Sequence, residues 1–412
     1  MVRFLLAKGA NPESRDRHGR TSFSWAACGR TDQCAIFEVF LERGVGPDSK
    51  DDHGRNVISW VMHDPFYDFY VTQKVVGMLV KQGCDPNTAD NHGRTLVSYA
   101  ACCPSPGAVQ ILIDHGAQPD LRDRSGRCPV SYAAAVEGNT STVILLLEQG
   151  LYPDFKDLDH RAPLSYAAAQ ERCTEAVRVL LESGAEPDVR DCNGRTPLSW
   201  AAGAGEIQTI NLLLERNADP DSADTRGRTP LSWAAAGEHS YDAVKQLLEN
   251  GADPDSKDNN GRTPLSWAAV GGALRTDRNK VVKLLLERSL DPDSKDHSGR
   301  SPFFWAAMHG FTSAAELLMK HGANPHCADH EGTTPLQIAE QKGWERVVKL
   351  IRGTLEDLDV VDYNDPDRGY YEARAQWNVV PPDRLRRQLM MSSRANADRE
   401  LAAAEEIDEK RD

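Results

Sequence analysis

The chain has 412 residues and a formal net charge of -14, a balance that argues against nucleic acid as a partner, since a phosphate backbone needs an excess of Lys and Arg on one face. Its nine cysteines, an odd number without C-x-x-C spacing, fit neither a disulfide framework nor a structural zinc site and point to a reducing compartment, cytosol or nucleus. No apolar run approaches the roughly 20 residues that span a bilayer, and Arg3 and Lys8 interrupt the opening MVRFLLAKGA, so neither membrane insertion nor an export signal is expected.

Val2 to Gly9 reads as the second helix of a repeat whose turn and first helix are missing, which makes residues 1–20 a partial N-terminal unit. Val2, Leu5 and Leu6 are expected to face the place of a preceding unit, an apolar end that a free solenoid covers with a polar cap. Beyond it a motif recurs: GRTPLSWAA stands at Gly194 to Ala202, again at Gly227 to Ala235 and again at Gly261 to Ala269, with degraded copies elsewhere. Aligned on the threonine, the copies start at Thr21, Asn56, Thr95, Cys128, Ala162, Thr196, Thr229, Thr263, Ser301 and Thr334, at spacings of 35, 39, 33, 34, 34, 33, 34, 38 and 33. A basal period near 33 with two longer intervals marks a constant unit carrying local insertions, so residues 21–352 form an array of about ten units.

Within the unit Asp191 to Ala223, Asp191 to Arg195 forms a turn in which Gly194 supplies the positive φ. Thr196 caps a helix whose first residue is Pro197, where a missing N–H costs nothing. Gly203 and Gly205 end that helix, and a second runs from about Glu206 to Arg216 with Ile207, Ile210, Leu213 and Leu214 at helical spacing. Pro220 stops the helical course, and one proline stands at the same place in every unit, from Pro12 to Pro325, which stiffens the loop.

Turn, short helix, longer helix and extended loop, with Thr-Pro-Leu opening the first helix, resembles the ankyrin repeat over about Val2 to Arg352. The resemblance implies an all-α ankyrin-repeat solenoid that binds partners and does no catalysis. It departs from the family motif in one respect: serine, as at Ser199, Ser232 and Ser266, stands where the family usually has histidine. This Ser-Trp variant looks like the ankyrin arrays of filamentous fungi. Such arrays, as the resemblance implies, often follow a NACHT-type nucleotide-binding module, so a ligand-sensing region of a larger signalling ATPase is the alternative to a free-standing scaffold, with an in-cis upstream domain as its corollary. The chain itself carries no G-x-x-x-x-G-K-[ST], H-E-x-x-H or G-x-S-x-G, and no cofactor is expected.

Two ladders run through the array. Aromatics occupy one position of nine first helices: Trp25, Trp60, Tyr99, Tyr132, Tyr166, Trp200, Trp233, Trp267 and Trp305. They could form a surface on which a peptide lies; we read them as core, because nine exposed rings would be a solubility hazard. In the turns, aspartates from Asp16 to Asp296 stand four residues before arginines from Arg20 to Arg300. These are read as structural salt bridges, each exposed pair worth little alone.

Specificity is expected where units differ. The turn tips do so: Arg17-His18, Asp52-His53, Asn91-His92, Arg124-Ser125, Cys192-Asn193, Thr225-Arg226, Asn259-Asn260 and His297-Ser298. In ankyrin-like proteins such tips and the adjoining first helices line the concave binding face, and the resemblance implies the same for a protein partner here. In the unit from Asp157, His160 replaces the turn glycine, and a local change of turn geometry is expected. The longer intervals place insertions at His63 to Gln73, with Phe66, Tyr67, Phe69 and Tyr70 as candidate contacts, and at Gly271 to Lys280, with Arg275, Arg278 and Lys280. Inserted loops emerge on one face and often bind, although the basic one is also read as merely solvated. His321, His326, Cys327 and His330 are scattered replacements whose spacing does not suit a metal. The unit at Thr334 replaces the aromatic and alanines with charge, as a cap does. Residues 353–412 read as an acidic, partly helical tail in which Leu385, Leu389, Ala397 and Leu401 could dock a partner or fold back.

Overall fold

Threonine and proline set the start of each first helix. In the Thr196 repeat the hydroxyl of Thr196 accepts the Ser199 N–H at 3.3 Å and Pro197 occupies the first turn of Pro197–Ala204, satisfying one of the orphan donors of a helix start. Asn56 caps Val57–Val61 in the same way, whereas Cys128 and Ala162 cap nothing with their side chains. The motif serine joins this arrangement: Ser199 Oγ lies 3.3 Å from Thr196 Oγ1, so serine serves the cap where the family has histidine. The helix ends at Gly205, whose φ of 77° closes it in the left-handed region.

The computed structural model describes residues 2–27, 33–62, 69–104, 106–237, 241–270, 275–288 and 291–353. Among these residues there are 21 helices and no strand, only two isolated antiparallel bridges, Arg15 with Thr21 and Ala89 with Thr95. The all-α repeat solenoid is thus borne out. Thr196 to Arg216 meets its expectation within a residue: the second helix is Ile207–Glu215, flanked by Glu206 and Arg216.

The chain divides into two compact units, Met1–Cys192 and Asn193–Asp412. In each, first helices pack on the first helices of adjacent repeats and second helices on second helices, while the two helices of one repeat pack on each other. The reason lies in residue size. A first helix such as Pro230–Ala235 is buried along its whole length, and its alanines let three neighbours approach. A second helix buries one stripe, Ala243, Val244, Leu247 and Leu248 in Tyr241–Glu249, and leaves its charged face in water. Each buried Val or Leu contributes about 1.5–3 kcal/mol.

Three expectations are corrected. The insertions are partly helix: Phe69–Lys81 and Arg275–Arg288 run to 13 and 14 residues against 9 in Ile207–Glu215, so residues 69–73 and 275–280 lengthen second helices. At the start of the chain, Val2–Ala7 packs on Gln33–Glu42 and Leu6 is buried there and not turned outward as expected, whereas Leu5 is exposed as expected, Phe4 is exposed with it and Val2 is half-buried. His160 leaves the turn geometry intact: at φ 57° it takes the left-handed conformation of the glycines. His160 N–H donates to Asp157 O at 2.9 Å as Gly227 N–H does to Asp224 O. The surrounding bonds impose the conformation, at a cost of about 1–2 kcal/mol. The helix Pro335–Lys342 starts on a reciprocal Thr334–Gln337 capping box, and residues after Gly353 lie outside the described residues.

Candidate functional site

The turn aspartate is the acceptor around which each repeat closes. Asp224 Oδ1 accepts the N–H groups of Arg226 at 2.8 Å and Arg228 at 2.9 Å, and Oδ2 accepts the indole N–H of Trp233 at 3.1 Å. Asp258 does the same for Trp267, Asp296 for Trp305, Asp51 for Trp60 and Asp16 for Trp25. Tyr99, Tyr132 and Tyr166 donate their hydroxyls to Asp90, Asp123 and Asp157 instead. Burial first, and the adjacent carboxylate with it, pushes these three phenols up, so they stay neutral donors. For Asp90 burial works toward a higher pKa, but the Tyr99 hydroxyl, the Arg94 N–H and the Arg94 charge outweigh it and hold the carboxyl below its ordinary value.

Those bonds leave the arginines a different role from the one expected. The i,i+4 ion pairs form at Arg20–Asp16, Arg55–Asp51 and Arg94–Asp90, at 2.8, 3.0 and 3.1 Å. These three guanidinia also lie over rings, Trp25, Trp60 and Tyr99, at 4.2, 4.0 and 4.5 Å, and the stacking continues along the array. In the first unit Arg127 lies over Tyr132 and Tyr166, its own ring and that of the next repeat, at 4.4 and 4.6 Å. In the second, Arg195 lies over Trp200 and Trp233 at 3.6 and 3.7 Å, and Arg228 over Trp233 and Trp267 at 3.6 and 3.9 Å. Arg262 follows with Trp267 and Trp305. Each cation is an intercalated plate that stitches two repeats. Burial pulls Arg228 down to about 9, aided by its cationic neighbours against Asp224 and Asp258, and it remains charged at neutral pH.

This settles the aromatic ladder as core. Trp60, Trp267, Trp305 and the three tyrosines are buried with Trp233, which is 8% exposed; Trp200 is half-buried and Trp25 is 43% exposed. Arg278, from the basic insertion, is buried and stacks on Phe311 at 3.9 Å, so it is not a solvated residue.

What stays outward is the tip row. A single backbone bond joins each tip to the next: Asp52 N–H to His18 O, Asn91 to His53, Arg124 to His92, Leu158 to Ser125 and Cys192 to Asp159. In the second unit Thr225 donates to Asn193, Asn259 to Arg226, His297 to Asn260 and His330 to Ser298. Except where His160 stands, glycine fills the position before the arginine, and at Gly227 both φ and space call for it. A Cβ on Gly227 would meet the Asn259 amide nitrogen at 2.7 Å. All sixteen predicted tip residues are exposed except His18, which is half-buried and whose Nε2 accepts from Arg17. Of the aromatic candidates, Tyr70 is 75% exposed on the first turn of Phe69–Lys81; Phe66, Tyr67 and the Phe69 side chain lie outside the described residues.

Sequence reasoning missed one group. Leu158 occupies a tip and is 72% exposed. Before it in the same repeat, Tyr152 meets the Phe155 ring edge-on at 5.8 Å, and Arg122 covers Phe155 at 4.4 Å. A leucine at a position held elsewhere by Arg, Asp, Asn, Cys, Thr or His was the available signal. His321 bonds back to Leu317 O, His326 and Cys327 sit in the loop, and His330 is a tip; among the described residues no three His, Cys, Asp or Glu side chains gather as metal ligands. Nor, among them, is any helix long and apolar enough to cross a membrane.

No relative among the curated proteins matches the chain. A family model for ankyrin repeats (3 copies) matches in overlapping stretches, residues 69–157, 133–224, 164–258, 218–296 and 272–362. Together they cover residues 69–362 of the 412, and with the turn, capping and stacking geometry above, the chain belongs to the ankyrin repeat family.

Proposed function

We propose that this chain is a non-catalytic scaffold that holds a protein partner on its turn tips and the adjoining first helices. Ankyrin repeats generally mediate protein–protein interaction. The observation that carries the reading is the division of labour at the tips. Their backbones are tied repeat to repeat by the bonds from Asp52–His18 to His330–Ser298, and the Asn91, Thr225 and Asn259 side chains add bonds to the carbonyl of the preceding tip, while the residues differ from repeat to repeat and all but His18 are exposed. A surface built in this way is ordered before contact, so association loses little conformational entropy. The partner is placed on the variable residues, among them Asn259, Asn260, His297 and Ser298, with Tyr70 and its neighbours as a second contact. A reducing compartment, cytosol or nucleus, is proposed with it.

Site-specific photo-crosslinking tests this. A photoreactive residue at Asn260 or His297 should capture a discrete partner in cells, and one at Lys245, exposed on a second helix, should not. Equal capture from both positions, or capture from Lys245 alone, would refute the assignment of the face.

A further inference from the structure

The turn carboxylates of the second unit are spent on backbone and indole donors, and the guanidinia beside them are left short of acceptors. Arg228 is 3% exposed, its Nε has no hydrogen-bond partner, its Nη2 reaches only the Ser232 carbonyl at 3.4 Å, and among the described residues no carboxylate oxygen forms an ion pair with it. Arg262 has one distant ion pair, 3.8 Å to Asp296, whose Oδ2 already receives the Trp305 indole, and its Nε also lacks an acceptor. Arg300 pairs with Asp329 at 3.2 Å. Unlike Arg228, Arg262 and Arg300 reach the surface, with 22% and 25% of their side chains exposed. Both are one glycine away from exposed tips, Asn259-Asn260 and His297-Ser298. In an acidic chain this stretch therefore offers two partly exposed guanidinium side chains held beside aromatic rings, Arg262 between Trp267 and Trp305 and Arg300 by Phe304 and Trp305; the Arg262 Nε without an acceptor is itself buried, so the exposed part of each side chain is what a ligand can reach.

We propose that this stretch receives an acidic segment of the protein partner, its carboxylates pairing with the exposed edges of Arg262 and Arg300 while Arg228 behind them adds field. The proposal rests on the scaffold reading and names the partner's chemistry. An extended peptide suits the row because the arginines recur once per repeat, and the rings on either side favour a planar carboxylate laid against the guanidinium edge.

The test is fluorescence anisotropy of labelled octaglutamate against the full chain, with octalysine and a single-stranded oligonucleotide of equal length as comparators. Octaglutamate should bind, and raising ionic strength should weaken it. Replacing both residues, Arg262→Gln with Arg300→Gln, should weaken it about ten-fold, the scale of losing charge-assisted contacts worth ~1.4 kcal/mol in all. Because the stack itself could suffer, Arg262→Lys with Arg300→Lys is measured beside it, every form at a temperature below its own unfolding midpoint: charge retained without the planar fork should give an intermediate loss of affinity. No binding of octaglutamate, stronger binding of octalysine or oligonucleotide, or equal affinity of all three forms would overturn the proposal. Crosslinking from Asn260 that persists in that event would leave the scaffold reading standing, whereas its loss together with octaglutamate binding would sink both.

Discussion

Replacing Trp233 by alanine probes the stack at its most connected point. The ring is 8% exposed, its N–H donates to Asp224 at 3.1 Å, and Arg195 and Arg228 lie 3.7 and 3.6 Å from its centroid. A buried indole removes about 150–250 Å² from water, which at about 25 cal/mol per Å² is about 4–6 kcal/mol as an upper bound. Large-to-small core substitutions of Trp cost about 3–5 kcal/mol, and that is the expected loss. Trp233→Phe separates the contributions: it keeps a ring between the guanidinia but orphans Asp224 Oδ2, at about 1–3 kcal/mol. Urea unfolding followed by circular dichroism gives both numbers, and hydrogen exchange shows whether the Thr229 repeat opens before its neighbours, as a nearest-neighbour stack requires. A loss below about 1 kcal/mol for the alanine variant would place the ring outside the core and refute the reasoning.

Three further outcomes are expected. His160→Gly relieves the left-handed strain at φ 57° and, after the greater chain entropy of glycine, should stabilise the first unit by about 0.5–1 kcal/mol; a lower thermal midpoint would contradict this. Ala162→Thr adds the cap that this repeat lacks and should stabilise by about 1 kcal/mol, read by urea midpoint against Thr196→Ala, which should lose a similar amount. His309 stacks between Trp305 and Phe311 and is pulled from 6.5 to about 4 by burial first and by Arg262 and Lys342 second. Its folded pKa lies below its unfolded one, so the unfolded chain binds the extra proton and stability falls as pH drops from about 6.5 to 4, by up to about 1.4 kcal/mol per pH unit. His309→Phe should flatten that dependence in urea titrations, and an unchanged slope would exclude His309 as its source.

The helices, caps and repeat boundaries were legible because they depend on residues close in sequence: Thr196, Pro197 and Gly205 act within one helix. The arginine stack was not. Arg228 stands four residues after Asp224, a spacing that suggests an ion pair, and nothing local reveals that backbone N–H groups and Trp233 claim the carboxylate first. The second ring over Arg228 belongs to the next repeat, a relation between residues 39 apart, Arg228 and Trp267. His160 misled for a related reason, since its neighbours' hydrogen bonds override its own preference. The tip row was legible as positions of variation, although the bonds that hold it rigid were not.

Because the guanidinia of Arg195, Arg228 and Arg262 are each shared between equivalent rings of successive repeats, the number of repeats is not written into any single one. Removing residues 229–262, one period, would set Thr263 after Arg228, with Trp267 in the place of Trp233 and Trp305 in the place of Trp267. The three identical copies of GRTPLSWAA lie where such a crossover would fall. A coding sequence that loses or gains a period by unequal recombination would therefore yield a chain whose joints still fit, with its row of tips shortened or lengthened by one step, and heritable variation in the reach of the binding surface becomes available without passing through an unfolded intermediate form.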